Sequence, residues 1–178
     1  EAVAGHASKI DVTLDKDGFV TVRDDGRGMP IDAHPKFRNK SALEVIFTML
    51  HSGGKFSNKA YATAGGLHGV GASVVNALSD KMEVEVARDR KLYRQSYSRG
   101  KPTTKLTPVG AAPNRRGTQI SFHPDPQIFG DKLHFRPSRL FAMARSKASP
   151  GMTRPESSVC AKAGGKVVLF VENVMSSA

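Results

Sequence analysis

The chain of 178 residues carries 27 Lys and Arg against 16 Asp and Glu, a net charge of +11, with 39% hydrophobic and 24% charged residues. That is the size of one domain and a globular composition, which excludes a disordered tail. One cysteine, Cys160, excludes an internal disulfide framework and fits a reducing, cytoplasmic compartment. No apolar run nears the ~20 residues that cross a bilayer, so no membrane association is expected. Glu1 stands where an initiator methionine would, and the expectation is a piece of a longer chain. The charge is uneven: residues 1–87 sum to −1 and residues 88–178 to +12. Such a basic half fits either a nucleic-acid partner or a merely solvated surface.

In chain order, Ile10, Val12 and Leu14 alternate with polar residues as in a half-buried strand. Asp15 to Gly18 form a turn, and Phe19 to Val22 a second strand. Ser41 and Glu44 make a capping box for a helix through Leu43, Val45, Ile46, Met49 and Leu50. Residues 51–66 read as a long loop of the kind reserved for lids and binding loops. Val70, Val74, Val75 and Leu78 have helical spacing, so a helix should open near Gly69–Gly71. Strands follow at 82–87, 92–97 and 118–122, with a loop at 100–116, a short helix near 138–147 and an apolar strand at 167–171. The pattern predicts an α+β two-layer sandwich, a mixed or antiparallel sheet with helices on one face.

Three segments carry chemistry. Gly65-Gly66-Leu67-His68-Gly69-Val70-Gly71 precedes the predicted helix, where backbone N–H groups can point at an anion. Gly54-Lys55 is followed by Phe56, so it is not a P-loop, and the glycine spacing is not the dinucleotide fingerprint. Read alone, the run fits a capped helix start as well as a ligand loop. Asp24-x-Gly26-x-Gly28 follows a strand end, where an acceptor-only carboxylate can take a hydrogen bond from an exocyclic amine. Taken alone, it reads first as an acidic hairpin turn. Gly117-Thr118 opens a later strand, and its hydroxyl could support the same contact.

In this order the segments resemble the ATP-binding domain of bacterial type IIA topoisomerases. These belong to the GHKL superfamily (the Bergerat fold) shared by gyrase, Hsp90, histidine kinases and MutL. The resemblance covers residues 1–147, leaving 148–178 as a divergent, unassigned tail. It rests on Asp24-Asp25-Gly26-Arg27-Gly28-Met29-Pro30, on Leu50 to Phe56, and on Gly65 to Gly71 with Ser73-Val74-Val75-Asn76-Ala77-Leu78. His34 to Phe37 and Val86 to Gln95 are more similar to the B protein of topoisomerase IV than to that of gyrase.

The resemblance implies an ATP-dependent type II topoisomerase that passes one DNA duplex through another. It implies ATP and Mg²⁺ as cofactors. The implied partners are double-stranded DNA, a second copy joined at the ATPase gate, and a topoisomerase A subunit. Asp24 would bind the adenine amino group, supported by Thr118, with Gly26 and Gly28 letting the base lie close and Met29 and Pro30 flanking it. Gly66, Leu67, His68, Gly69, Val70, Gly71 and Ala72 would cradle the phosphates through backbone N–H groups, and Lys55 would reach the terminal phosphates. Arg27 would pair with Glu1, and Arg88 would line the pocket mouth. The general-base Glu and Mg²⁺-binding Asn of the family lie on a helix of which Glu1 to His6 match only the end. No catalytic or metal residue is therefore assigned, and the 178 residues are expected not to turn over ATP. With that helix missing, the sheet face around Ile10, Val12, Val20 and Val22 is expected to lose its cover and leave the chain poorly folded. The alternatives are the gyrase B protein, another ATPase of the superfamily such as a MutL-like protein, or a non-enzymatic basic nucleic-acid-binding module.

Overall fold

The computed structural model describes residues 6–50, 70–148 and 166–170. The alternating N-terminal segments form β1 (Lys9–Leu14) and β2 (Val20–Asp24), antiparallel with Ile10 opposite Asp24 and Leu14 opposite Val20. The Asp15 carboxylate closes their turn by accepting from the Asp17 and Phe19 amides at 3.0 and 2.9 Å. Inside the sheet, β3 (Ser79–Arg88) runs between β4 (Lys91–Ser98) and β7 (Gly117–Pro124). Asp89 and Arg90 join β3 to β4 with φ of 53° and 63°, the two-residue mirror-image turn that suits the twist of a hairpin.

The segment 100–116, expected as loop, holds two short strands, β5 (Lys101–Pro102) and β6 (Thr107–Ala111), both paired with β4. Every residue of both is exposed, so no hydrophobic alternation marks them. The free edge of β4 recruits them. The strand expected at 167–171 is β8 (Lys166–Phe170), antiparallel to β1. The resulting order is β5-β4-β3-β7-β2-β1-β8, with β6 beside β4, and every described strand pairing is antiparallel.

Ser41 caps α1 (Ala42–Thr48), its hydroxyl accepting from the Glu44 amide at 3.1 Å. The Glu44 carboxylate pairs with Lys40 at 3.1 Å and also accepts from the buried Gln95 side chain at 3.4 Å. The helix ends at Thr48, short of Leu50, which is 64% exposed. Leu43 and Phe47 of α1 pack on Met82, Val84, Val86 and Tyr97 to form the core. Glu83 and Glu85 alternate to the opposite face of β3.

The next helix, α2 (Gly71–Ala77), begins where the spacing places it. Val74 and Leu78 are exposed, while Ser73 and Asn76 are buried. The Asn76 amide nitrogen donates to the Phe47 carbonyl at 2.8 Å, a polar tie between α2 and α1 beside Ala72 and Val75, which pack against the core cluster. Asp125 caps α3 (Pro126–Phe129), which sequence periodicity does not mark, and α4 (Pro137–Ala148) matches the expected C-terminal helix. Val12 and Val20 are 4% and 1% exposed, so at these two positions the sheet face expected to lie open is covered. No helix among the described residues is long and apolar enough to cross a membrane.

Candidate functional site

Two adjacent carboxylates leave the end of β2 and do different work. Asp24 bends back on its own loop, its Oδ1 accepting from the Gly26 amide at 2.8 Å. Asp25 reaches the start of β1. Its Oδ1 accepts from the Ser8 and Lys9 amides at 2.8 and 2.9 Å, and its Oδ2 from the Ser8 hydroxyl at 2.6 Å. Burial alone would raise the Asp25 pKa, but these hydrogen bonds outweigh it and hold the carboxyl below its ordinary value. Asp25 is therefore an anchor.

Opposite Asp24 lies the start of β7. Gly117 has φ +100°, and a β-carbon there would overlap the Asp24 backbone carbonyl. Thr118 is buried, and its hydroxyl oxygen accepts from the Met29 amide at 3.0 Å. The loop can fold back this far because Gly28, at φ +79°, has the Ala87 carbonyl and a Val86 methyl 3.1 Å from where a side chain would begin. Asp24, Gly26, Gly28, Met29 and Thr118 thus lie together at one end of the sheet. Gly26 is buried, Pro30 is half-buried, and Met29 packs against the core cluster.

Two consecutive arginines hold this notch from the other side of the strand. Arg116 donates from Nε to the Asp25 carbonyl at 2.8 Å. Arg115 donates from Nη2 to Glu85 Oε2 at 2.7 Å and to Gln119 at 3.3 Å. Glu85 also accepts from Arg94 Nη2 at 2.6 Å. Burial raises the Glu85 pKa, and the two arginines more than reverse it, so its carboxyl lies below the ordinary value. None of Gly117's packing, Asp25, Glu85, Arg115 or Arg116 is assigned a role from sequence. The signals available are an acid between Val84 and Val86 in a strand and an Arg-Arg pair just ahead of Gly117-Thr118.

Of the expected phosphate-binding run, Val70, Gly71 and Ala72 lie at the start of α2, with Ala72 packed against the core cluster. Lys55, Gly66, Leu67, His68, Gly69 and Glu1 lie outside the described residues. Arg27 and Arg88 line a hollow of about 460 Å³ beside the notch, together with Ala87, Asp89, Arg90 and Arg116. Among the described residues no three His, Cys, Asp or Glu side chains cluster to hold a metal.

A family model described as histidine kinase-, DNA gyrase B-, and HSP90-like ATPase matches residues 1–128, both halves of the notch included. The chain belongs to this ATPase family. Within the histidine kinase-, gyrase B- and HSP90-like ATPases it is 63% identical over 148 residues to DNA topoisomerase 4 (B subunit) of Bartonella bacilliformis, covering 83% of this chain and 21% of that protein. It is 56% identical over 131 residues to DNA gyrase (B subunit) of Thermotoga maritima, covering 74% and 20%. Among solved structures it is similar to the 43K ATPase domain of Thermus thermophilus gyrase B in complex with an aminocoumarin. The TM-score is 0.70 at 47% identity, covering 83% of this chain and 36% of that one. The chain spans about a fifth of the length of these curated relatives. The higher identity to the topoisomerase 4 protein agrees with the reading of His34 to Phe37 and Val86 to Gln95.

Proposed function

We propose that these residues form the adenine-binding wall and part of the phosphate-binding wall of an ATP-dependent type II DNA topoisomerase, in the branch of the topoisomerase IV B protein. The observation that carries the reading is the interlock of Asp24, Gly117, Thr118 and Met29. A carboxylate accepts several hydrogen bonds, so an exocyclic amine can join the contacts that Asp24 already makes. Thr118 accepts from Met29, which leaves its own proton to donate to a ring nitrogen. One acceptor beside one donor matches the amine and ring nitrogen of adenine and mismatches the carbonyl edge of guanine.

The phosphates run from the notch toward Val70, Gly71 and Ala72, continuing onto Gly66, Leu67, His68 and Gly69, with Lys55 at the terminal phosphate. Arg27 pairs with Glu1. Mg²⁺ accompanies the triphosphate and takes no described side chain as ligand in this reading. The whole protein acts in the cytoplasm on double-stranded DNA, with a second copy of itself across the nucleotide gate and with a topoisomerase A subunit. The chain by itself binds without hydrolysing, because Asp24, the one carboxylate assigned, meets the base and not the water that attacks the far phosphate.

The test is competition. An aminocoumarin bound to the folded chain should be displaced by a non-hydrolysable ATP analogue and not by its guanine counterpart. Displacement by both alike, or by neither, would overturn the reading.

A further inference from the structure

Between Pro30 and the cap of α1 the chain makes a loop whose shape is set by backbone groups and one imidazole. At its neck Ala33 bridges to Ser41 in antiparallel register, and the Ala42 amide donates to the Asp32 carbonyl at 2.8 Å. Further out, the His34 amide donates to the Lys40 carbonyl at 2.8 Å and the Lys40 amide to the Phe37 carbonyl at 2.9 Å. The buried His34 ring accepts at Nδ1 from the Lys36 and Phe37 amides at 3.1 and 3.3 Å, and the Phe37 ring leans on it at 5.1 Å between centroids. The loop thus uses the amides of residues 36 and 37, while the charged side chains of Lys36 and Arg38 do nothing to hold it. Both are exposed, and neither makes an ion pair or side-chain hydrogen bond among the described residues. The third cation, Lys40, is already paired with Glu44. Asp32 is the one acid between Pro30 and Ser41.

We infer that the tip of this loop is a contact site for the phosphodiester backbone of duplex DNA. A cation on a flexible segment gains little from an anion, because ordering the segment offsets the attraction. Here His34 and the neck order the backbone before any ligand arrives. Lys36 and Arg38 stand two residues apart, at most about 7 Å, the reach of two phosphate steps at about 3.4 Å of rise per strand. A regular polyanion can meet both at once, the lysine as a point charge and the arginine in a two-pronged hydrogen-bonded contact. The loop lies in the half of the chain whose charges sum to −1, so its basic tip is a local feature and not an extension of the basic second half. No residue from Ile31 to Lys40 is assigned to the nucleotide. That DNA is the polymer met rests on the topoisomerase reading.

The experiment is a salt series of labelled-duplex binding to the full 178-residue chain, followed by fluorescence anisotropy without nucleotide, so it and the aminocoumarin competition can fail separately. Lys36→Ala combined with Arg38→Ala should lower affinity about 10- to 50-fold at moderate salt and reduce the slope of log K against log salt by about 2. The urea midpoint should stay at the parent value, because both substitutions keep the amides that tie the loop, so weaker binding cannot be ascribed to unfolding. Lys16→Ala combined with Lys132→Ala removes the same charge from two exposed positions, in the β1–β2 turn and beyond α3, and should change affinity by less than about threefold. Equal losses in the two double variants, or no loss in the first, would overturn the assignment. So would displacement of the labelled duplex by polyglutamate as readily as by unlabelled duplex at equal charge concentration, which would give the loop to an acidic polypeptide.

Discussion

Gly117 and Asp24 meet backbone to backbone: the α-carbon of one faces the carbonyl of the other with no room for a methyl group between them. The contact brings the start of β7 against the end of β2 and so sets Thr118 beside the Asp24 carboxylate. Gly117→Ala should therefore be among the costliest single substitutions in the chain. Holding a residue with a side chain at φ +100° costs about 1–3 kcal/mol before the overlap is counted. A fall in the urea midpoint with loss of nucleotide binding is expected, and an unchanged midpoint would contradict the contact.

Asp24→Asn separates recognition from stability. Asparagine keeps an oxygen for the Gly26 amide, so the loop should hold its shape. It exchanges an acceptor for a donor toward the base, and a hydrogen bond to a charged group is worth about 1.5–3 kcal/mol, or roughly 10- to 150-fold in affinity. Calorimetric titration with an ATP analogue should show that loss beside a wild-type melting curve.

Glu85 lies on the sheet face opposite the core and ties Arg94 and Arg115 to β3. Glu85→Gln should cost about 1–2 kcal/mol at neutral pH, at the low end because both arginines are partly exposed. The pH dependence follows from the lowered carboxyl pKa in the folded chain. The unfolded chain binds the proton more readily, so the stabilisation is complete above the ordinary value of about 4.3 and is lost as pH falls through the lower folded value. Asp25 acts in the same direction. Denaturation between about pH 6 and about pH 3 should show a shallower acid loss in Glu85→Gln than in the parent chain.

Asn76→Ala should destabilise by about 1–3 kcal/mol, because it leaves the Phe47 carbonyl without the amide that joins α2 to α1. Asn76→Leu restores bulk and not the bond. If leucine recovers stability, burial and not the hydrogen bond orders these helices.

Local signals in this chain were legible because each depends on near neighbours. The alternation of Ile10, Val12 and Leu14 marks β1, Ser41 three residues before Glu44 marks the start of α1, and Asp89-Arg90 between two apolar runs marks a hairpin. The motif around Asp24 and the pair Gly117-Thr118 likewise named the two halves of the notch from spacing and resemblance. What joins them is separated by about ninety residues and left no periodic trace. Only the folded sheet brings the Met29 amide onto Thr118, and only the alternation of faces at a strand end turns the Asp24 carboxylate to its own loop and that of Asp25 to the start of β1. The tertiary structure also decided which residues of α2 are covered: Asn76 donates to the Phe47 carbonyl and Val75 packs on the core, while Val74 and Leu78 stay exposed. It made strands of Lys101–Pro102 and Thr107–Ala111 as well, because an open edge supplies hydrogen bonds that exposed residues cannot advertise.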